Sequence, residues 1–140
     1  MQQSSLRCIQ GPHPDVHLLH SLQKKIAFPK WKSVGDRSRS FNNRDWQQET
    51  TRPTAISNRS WAELGAFFSE DYGSPTCFSC GFPYFLTGQG WTKETVVRNH
   101  AYEQPRCQHL IKIKGIAFVE EVMARPFNYK KDHSRKIINI

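Results

Sequence analysis

Four side chains constrain this sequence more than anything else in it: Cys77 and Cys80 with two residues between them, then His100 and Cys107 with six between them. A two-residue gap closes a turn that can aim both sulfurs at one point. Zinc accepts three sulfur ligands and one nitrogen ligand in a tetrahedron without imposing an electronic geometry of its own. An isolated dithiol at this spacing could also be a redox pair or a disulfide. Either leaves His100 and Cys107 without a role, and a fortuitous cluster leaves all four so. One structural Zn2+ held by Cys77, Cys80, His100 and Cys107 is the reading that uses the whole set. The remaining cysteine, Cys8, is remote from any motif. His13, His17 and His20 have spacings that suit a second metal, but no carboxylate-rich partner set accompanies them, and they read as solvent-facing or locally hydrogen-bonded.

The local patterns supply elements to carry these ligands. A weak apolar spacing at Val16, Leu19 and Ile26 predicts a short helix from about Asp15 to Lys25. Ser60 with Glu63 reads as a capping box opening a helix whose apolar content is Trp61, Leu64, Ala66, Phe67 and Phe68. Gly73 and Pro75 stop it in a turn. Strands are expected from Thr76 to Phe78 and across Phe82 to Leu86. A helix from Lys93 to about Tyr102 puts Val96 and His100 on one face, with Pro105 ending it beside Cys107. Beyond Gly115, Ile116, Val119, Val122 and Met123 form a helical stripe that Pro126 terminates.

Charge divides the sequence where motifs do not. Residues 1–60 carry ten Lys or Arg against four Asp or Glu, residues 61–110 three against five, and residues 111–140 seven against three. The total is +8, with a pI near 9.6, and about +7 once three ionised cysteines and a divalent ion are included. Such a chain is drawn to a polyanion or an acidic protein surface, less so in salt. Trp31, Phe41 and Trp46 interleave with basic residues without forming a stacking or groove-reading motif. No apolar run approaches the roughly 20 residues that cross a bilayer. The start Met1-Gln2-Gln3-Ser4-Ser5 lacks the apolar core of a secretory signal, and Pro12 and Pro14 interrupt an amphipathic presequence helix. The expected setting is therefore intracellular, free or assembly-bound, with an organelle or a virion among the compartments left open.

The string Ser40-Phe41, Trp46, Leu64-Gly65-Ala66-Phe67-Phe68, Cys77-Phe78-Ser79-Cys80-Gly81, Trp91, His100 and Cys107 resembles the baculoviral inhibitor-of-apoptosis repeat, the zinc-centred module of the inhibitor-of-apoptosis family. The resemblance covers roughly Arg37 to Leu110. It implies the same four zinc ligands and a small α+β zinc domain, a short three-stranded antiparallel sheet surrounded by helices with extended terminal arms. It also implies a peptide groove at Trp91, Glu94, Tyr102 and Glu103, with Glu94 as acceptor for a free N-terminal amine. The sequence departs from the family pattern in three places. Nineteen residues separate Cys80 from His100, a few more than is usual. Thr95-Val96-Val97 replaces an acidic-proline-tryptophan segment. Tyr102 or Glu103 stands where a second groove aromatic is sought. A high-affinity receptor for N-terminal alanine peptides is therefore not expected.

The division that follows is a basic N-terminal arm (1–36), a zinc-binding domain resembling the inhibitor-of-apoptosis repeat (37–110), and a C-terminal helix with a basic tail (111–140). Phe78, between two ligands, is expected in the core, and Trp91 in the core or on a groove floor. A catalytic zinc keeps one coordination position open, whereas these four ligands fill it. Glu70 and Asp71 are adjacent acids that read as a solvated turn, and no enzyme activity is expected. The functional expectation is a non-catalytic zinc-stabilised interaction or architectural subunit of a larger complex, contacting other protein subunits through its arms. The alternatives are an apoptosis-related peptide-binding adaptor and a basic nucleic-acid-binding protein. Trp31, Phe41, Trp46, Phe118 and Phe127 are the candidate interface anchors, the rival reading being that they enlarge the core.

Overall fold

The computed structural model of the chain describes residues 25–50, 52–85 and 90–124. The proposed helix at 15–25, the three histidines, Cys8, Phe127 and the C-terminal tail lie outside or almost wholly outside them. A 3₁₀ turn at Pro29–Trp31 leads into helices α1 (Val34–Ser40) and α2 (Arg44–Gln47). Both are set by side-chain caps that take up otherwise unpaired N–H groups: Ser33 accepts from Asp36 N, and Asn43 accepts from Asp45 N and Trp46 N. Neither helix has a long apolar repeat. Their caps hold them in place while single residues, Phe41 and Trp46, anchor the segment in the core.

Helix α3 spans Asn58–Glu63 and is capped by Ser57, which accepts from Ser60 N. The capping box expected at Ser60 and Glu63 is therefore corrected: Ser60 lies inside the helix. Gly65, at φ +100, ends the element, and the apolar residues assigned to the same helix turn into strand β1 (Ala66–Ser69). β1 pairs antiparallel with β2 (Ser74–Cys77), Ala66 opposite Cys77 and Ser69 opposite Ser74. Phe67 and Phe68 alternate across this strand as period two demands. Phe68 lies in the main core with Phe41 and Trp46, whereas Phe67 is covered by Phe28 and by Trp31, whose ring stacks on it at 4.9 Å.

The expected three-stranded sheet is overturned: the sheet has two strands among the described residues. The segment after the Cys77–Cys80 turn makes one isolated bridge, Thr76 to Pro83. Pro83 has no N–H with which to continue a ladder, and residues 86–89 fall outside the description.

Three further helices close the fold. Helix α4 (Lys93–Glu103) opens with a reciprocal cap in which Thr92 accepts from Thr95 N and Thr95 accepts from Thr92 N. Helix α5 (Gln108–Lys114) follows, then Gly115 at φ +90, then α6 (Ile116–Ala124). Val119 and Val122 of α6 are fully buried, while Met123, placed on the same stripe from sequence, is 40% exposed. It lies about 100° round the helix from Val122, beyond the packed face. The single core gathers Phe41, Trp46, Trp61, Tyr84, Trp91 and Val96 with Cys77 and Cys107, and Cys80 packs against it. Phe41 at 0% and Trp46 at 3% exposure are core residues and offer no surface to a partner.

Candidate metal centre

β2 delivers Cys77, and the chain then folds back on itself: Gly81 N–H donates to Cys77 O at 2.9 Å and Cys77 N–H to Phe82 O at 2.9 Å. Gly81 takes φ +81, a left-handed conformation that suits glycine and closes the turn. Both sulfurs consequently point to one side. Residues before α1 brace the turn from outside, Ala27 N–H bonding Ser79 O and Phe28 N–H bonding Phe78 O. His100 comes from the buried face of α4, beside Val96, Val97 and Ala101. Cys107 is the N-cap of α5, its sulfur accepting from Leu110 N at 3.4 Å.

The donor atoms of Cys77, Cys80, His100 and Cys107 all lie within 4.8 Å of one another. Cys77 Sγ and Cys107 Sγ are 3.7 Å apart, and Cys80 Sγ and His100 Nε2 3.3 Å. Ligand distances of about 2.3 Å for sulfur and about 2.0–2.1 Å for nitrogen give tetrahedral edges of roughly 3.8 Å and 3.6 Å, close to both. A disulfide needs about 2.05 Å, and Cys77, Cys80 and Cys107 are free thiols. Cys77, His100 and Cys107 are buried to 1% exposure or less, with Cys80 half-buried. The set fits a structural zinc ion, with every tetrahedral position supplied by the protein.

Burial pushes His100 down, but hydrogen bonds to the Cys107 and Cys77 sulfurs and their charge outweigh it, raising the imidazole to about 9. Hydrogen bonding to Cys107 and then Cys77 pushes the Cys80 thiol up, whereas bonds from Cys77 and Cys80 hold Cys107 below the usual thiol range. Three sulfurs this close cannot all ionise unaided, and a divalent cation lets them.

Three residues to which sequence reasoning gave no role at the site surround it. Tyr84, 1% exposed, places its hydroxyl 2.6 Å from His100 Nδ1. Burial, and after it the charge of Cys77, pushes its phenol well up, so it stays a neutral hydroxyl. Phe82 stacks on the imidazole at 5.2 Å and 11°. Arg37, 3% exposed, donates from Nε to Ala62 O at 2.9 Å and from one terminal nitrogen to Trp31 O and Lys32 O at 2.9 and 2.7 Å. Its guanidinium lies 4.5 Å from the centre of the Phe78 ring, between the two knuckle cysteines. A tyrosine four residues after Cys80 was legible only as part of an expected strand. An arginine in a basic stretch carries no sequence mark of burial.

The four groove candidates do not form one surface. Trp91 is 6% exposed and part of the core. Glu94, in the first turn of α4, lines a cleft of about 570 Å³ with Leu64, Val97, Ile113 and Phe118. Tyr102 and Glu103 are exposed at the other end of the helix, about 12 Å further along its axis, and line no part of that cleft.

Taken together, fold and site define a small α+β domain with a Cys3His cluster of the structural type. No family model matches the chain. It is 30% identical over 97 residues to Death-associated inhibitor of apoptosis 2 of Drosophila melanogaster, a match covering 69% of this chain and 18% of that protein. The similarity is distant and the chain spans less than a fifth of that relative's length. No helix among the described residues is long and apolar enough to cross a membrane.

Proposed function

We propose that this chain contains a divergent baculoviral inhibitor-of-apoptosis repeat whose Cys77, Cys80, His100 and Cys107 bind one structural Zn2+. In this reading it serves as a non-catalytic, zinc-stabilised interaction or architectural subunit of a larger complex. The observation that carries the proposal is the closed Cys3His cluster: four protein donors within 4.8 Å, three of them buried, leave no coordination position for a water nucleophile. The distant similarity to an inhibitor-of-apoptosis protein supports the family reading. When bound, the ion would cross-link β2, α4 and α5, which otherwise share a thin core. Such a site contributes on the order of 10 kcal/mol of apparent folding free energy.

The basic flanks, residues 1–36 and 111–140, are the segments we assign to partner subunits, the excess positive charge steering them towards an acidic surface. Binding of N-terminal alanine peptides is disfavoured by the separation of Glu94 from Tyr102 and Glu103 and by the burial of Trp91. Metal analysis of the purified full-length chain should find close to one zinc per molecule, and native copurification with mass spectrometry should recover stoichiometric protein partners. A zinc-free folded protein, or a chain that purifies alone under conditions that preserve complexes, would overturn the corresponding half of the proposal.

A further inference from the structure

We propose that Tyr84 is a positioning residue for the metal centre, its phenolic oxygen accepting the Nδ1–H of His100 so that Nε2 is the nitrogen presented to the ion. The inference rests on the zinc reading above and extends it to which nitrogen binds, and why. A neutral imidazole has one protonated and one free nitrogen, and the partner of the first decides which is which. Here the two sides of the ring face different chemistry: Nε2 lies 3.3 Å from Cys80 Sγ, inside the cluster, and Nδ1 lies 2.6 Å from the Tyr84 hydroxyl, outside it. Both residues are 1% exposed, so bulk water does not compete for the Nδ1 bond.

Tyr84 is held well enough to do this. Its backbone N–H donates to Pro75 O at 2.8 Å, tying it to β2. Its ring meets Trp61 edge-on at 5.3 Å and Phe82 at 5.1 Å. Phe82 lies flat on the imidazole, fixing its plane, while the tyrosine ring stands at 87° to it. The short segment after the knuckle therefore supplies two cysteine-proximal aromatics with separate tasks: Phe82 sets the tilt of the ring, and Tyr84 sets its tautomer. A leucine or phenylalanine at position 84 could fill the same space but could not accept the proton. The opposite arrangement, with Tyr84 donating to Nδ1 and Nε2–H directed at Cys80, has no nitrogen lone pair free for a metal. The two arrangements are thus distinguishable on the histidine itself.

The test uses the full chain loaded with zinc. Competition against a chromophoric chelator should show Tyr84→Phe weakening zinc binding by about 10–100-fold, the usual effect of losing a partner of a metal-bound histidine. Histidine ¹⁵N NMR of the zinc-loaded wild type should show Nδ1 protonated and Nε2 metal-bound. This readout needs no variant, so it tests the nitrogen assignment even if Tyr84→Phe fails to fold. In a His100→Cys background, which has no Nδ1, Tyr84→Phe should leave zinc affinity unchanged within about twofold, whereas a purely packing role would cost the same in both backgrounds. Metal bound through Nδ1 in the wild type, or Tyr84→Phe binding zinc as tightly as wild type, overturns the inference. A wild-type protein that binds no zinc overturns the metal reading first and is recognised before any variant is compared.

Discussion

Replacing Arg37 by methionine isolates what a buried guanidinium contributes here. Methionine keeps most of the stem and the apolar volume beside Phe78, but removes the charge and every donor. Three charge-assisted hydrogen bonds are lost, to Ala62 O, Trp31 O and Lys32 O. Each contributes about 1.5–3 kcal/mol at most. The sum is reduced because Ala62 O also accepts from Gly65 N–H, because the other two carbonyls are partly buried and can be rewetted, and because the variant no longer desolvates a cation. The net expectation is a loss of about 2–4 kcal/mol, a large share of the stability of a small domain. Urea unfolding of the zinc-loaded full chain at fixed free zinc, followed by far-ultraviolet circular dichroism, measures it. Arg37→Lys is the companion variant: it keeps the charge and loses the fork that reaches three carbonyls in different directions, so it should recover less than half of the loss. Released from Arg37, the 29–32 segment should also become more sensitive to protease. Stability within about 0.5 kcal/mol of wild type for Arg37→Met, or full recovery by Arg37→Lys, would refute the reasoning.

Other perturbations test other parts of the fold. Cys80→Ser should abolish cooperative folding rather than merely weaken a surface, read as loss of the thermal transition, and chelation of the wild type should produce the same state. Gly65→Ala should destabilise by about 1–3 kcal/mol in the same urea assay, since the position has φ +100 and a Cβ there would lie 2.6 Å from His109 Cδ2. Trp31→Ala removes the ring stacked on Phe67 at 4.9 Å. As Trp31 is only partly buried, the cost should be about 1–2 kcal/mol, with zinc content unchanged by metal analysis. Isothermal titration with an N-terminal alanine peptide should detect no binding at micromolar concentration; micromolar binding abolished by Glu94→Ala would restore the groove.

The sequence by itself carried the Cys3His cluster in outline. Two cysteines across a turn, a histidine on a helix face and a cysteine after a proline are local facts, because spacing alone decides which way a turn or a helix can aim a side chain. The helix from Lys93 was legible for the same reason: Val96 and His100 stand four residues apart on one face and Pro105 limits it. So was the burial of Val119 and Val122, which are three residues apart on one face. Ala66 to Ser69 were not legible, since a short apolar run after a helix has no periodicity that separates another helical turn from a strand. The positive φ of Gly65 and the pairing with Ser74–Cys77 settle that choice, and pairing is a property of two segments. The third strand failed for the same reason, with Pro83 unable to extend the ladder. Whether Phe41 and Trp46 faced a partner or the core was likewise undecidable until α1 and α2 were packed against β1. The two residues that tighten the site, Tyr84 and Arg37, meet His100 and Ala62 across 16 and 25 positions of sequence. A hydrogen bond between groups so far apart leaves no trace in either neighbourhood, so only the closed tertiary structure could decide that a tyrosine meets His100 and that an arginine ties the 31–32 segment to Ala62.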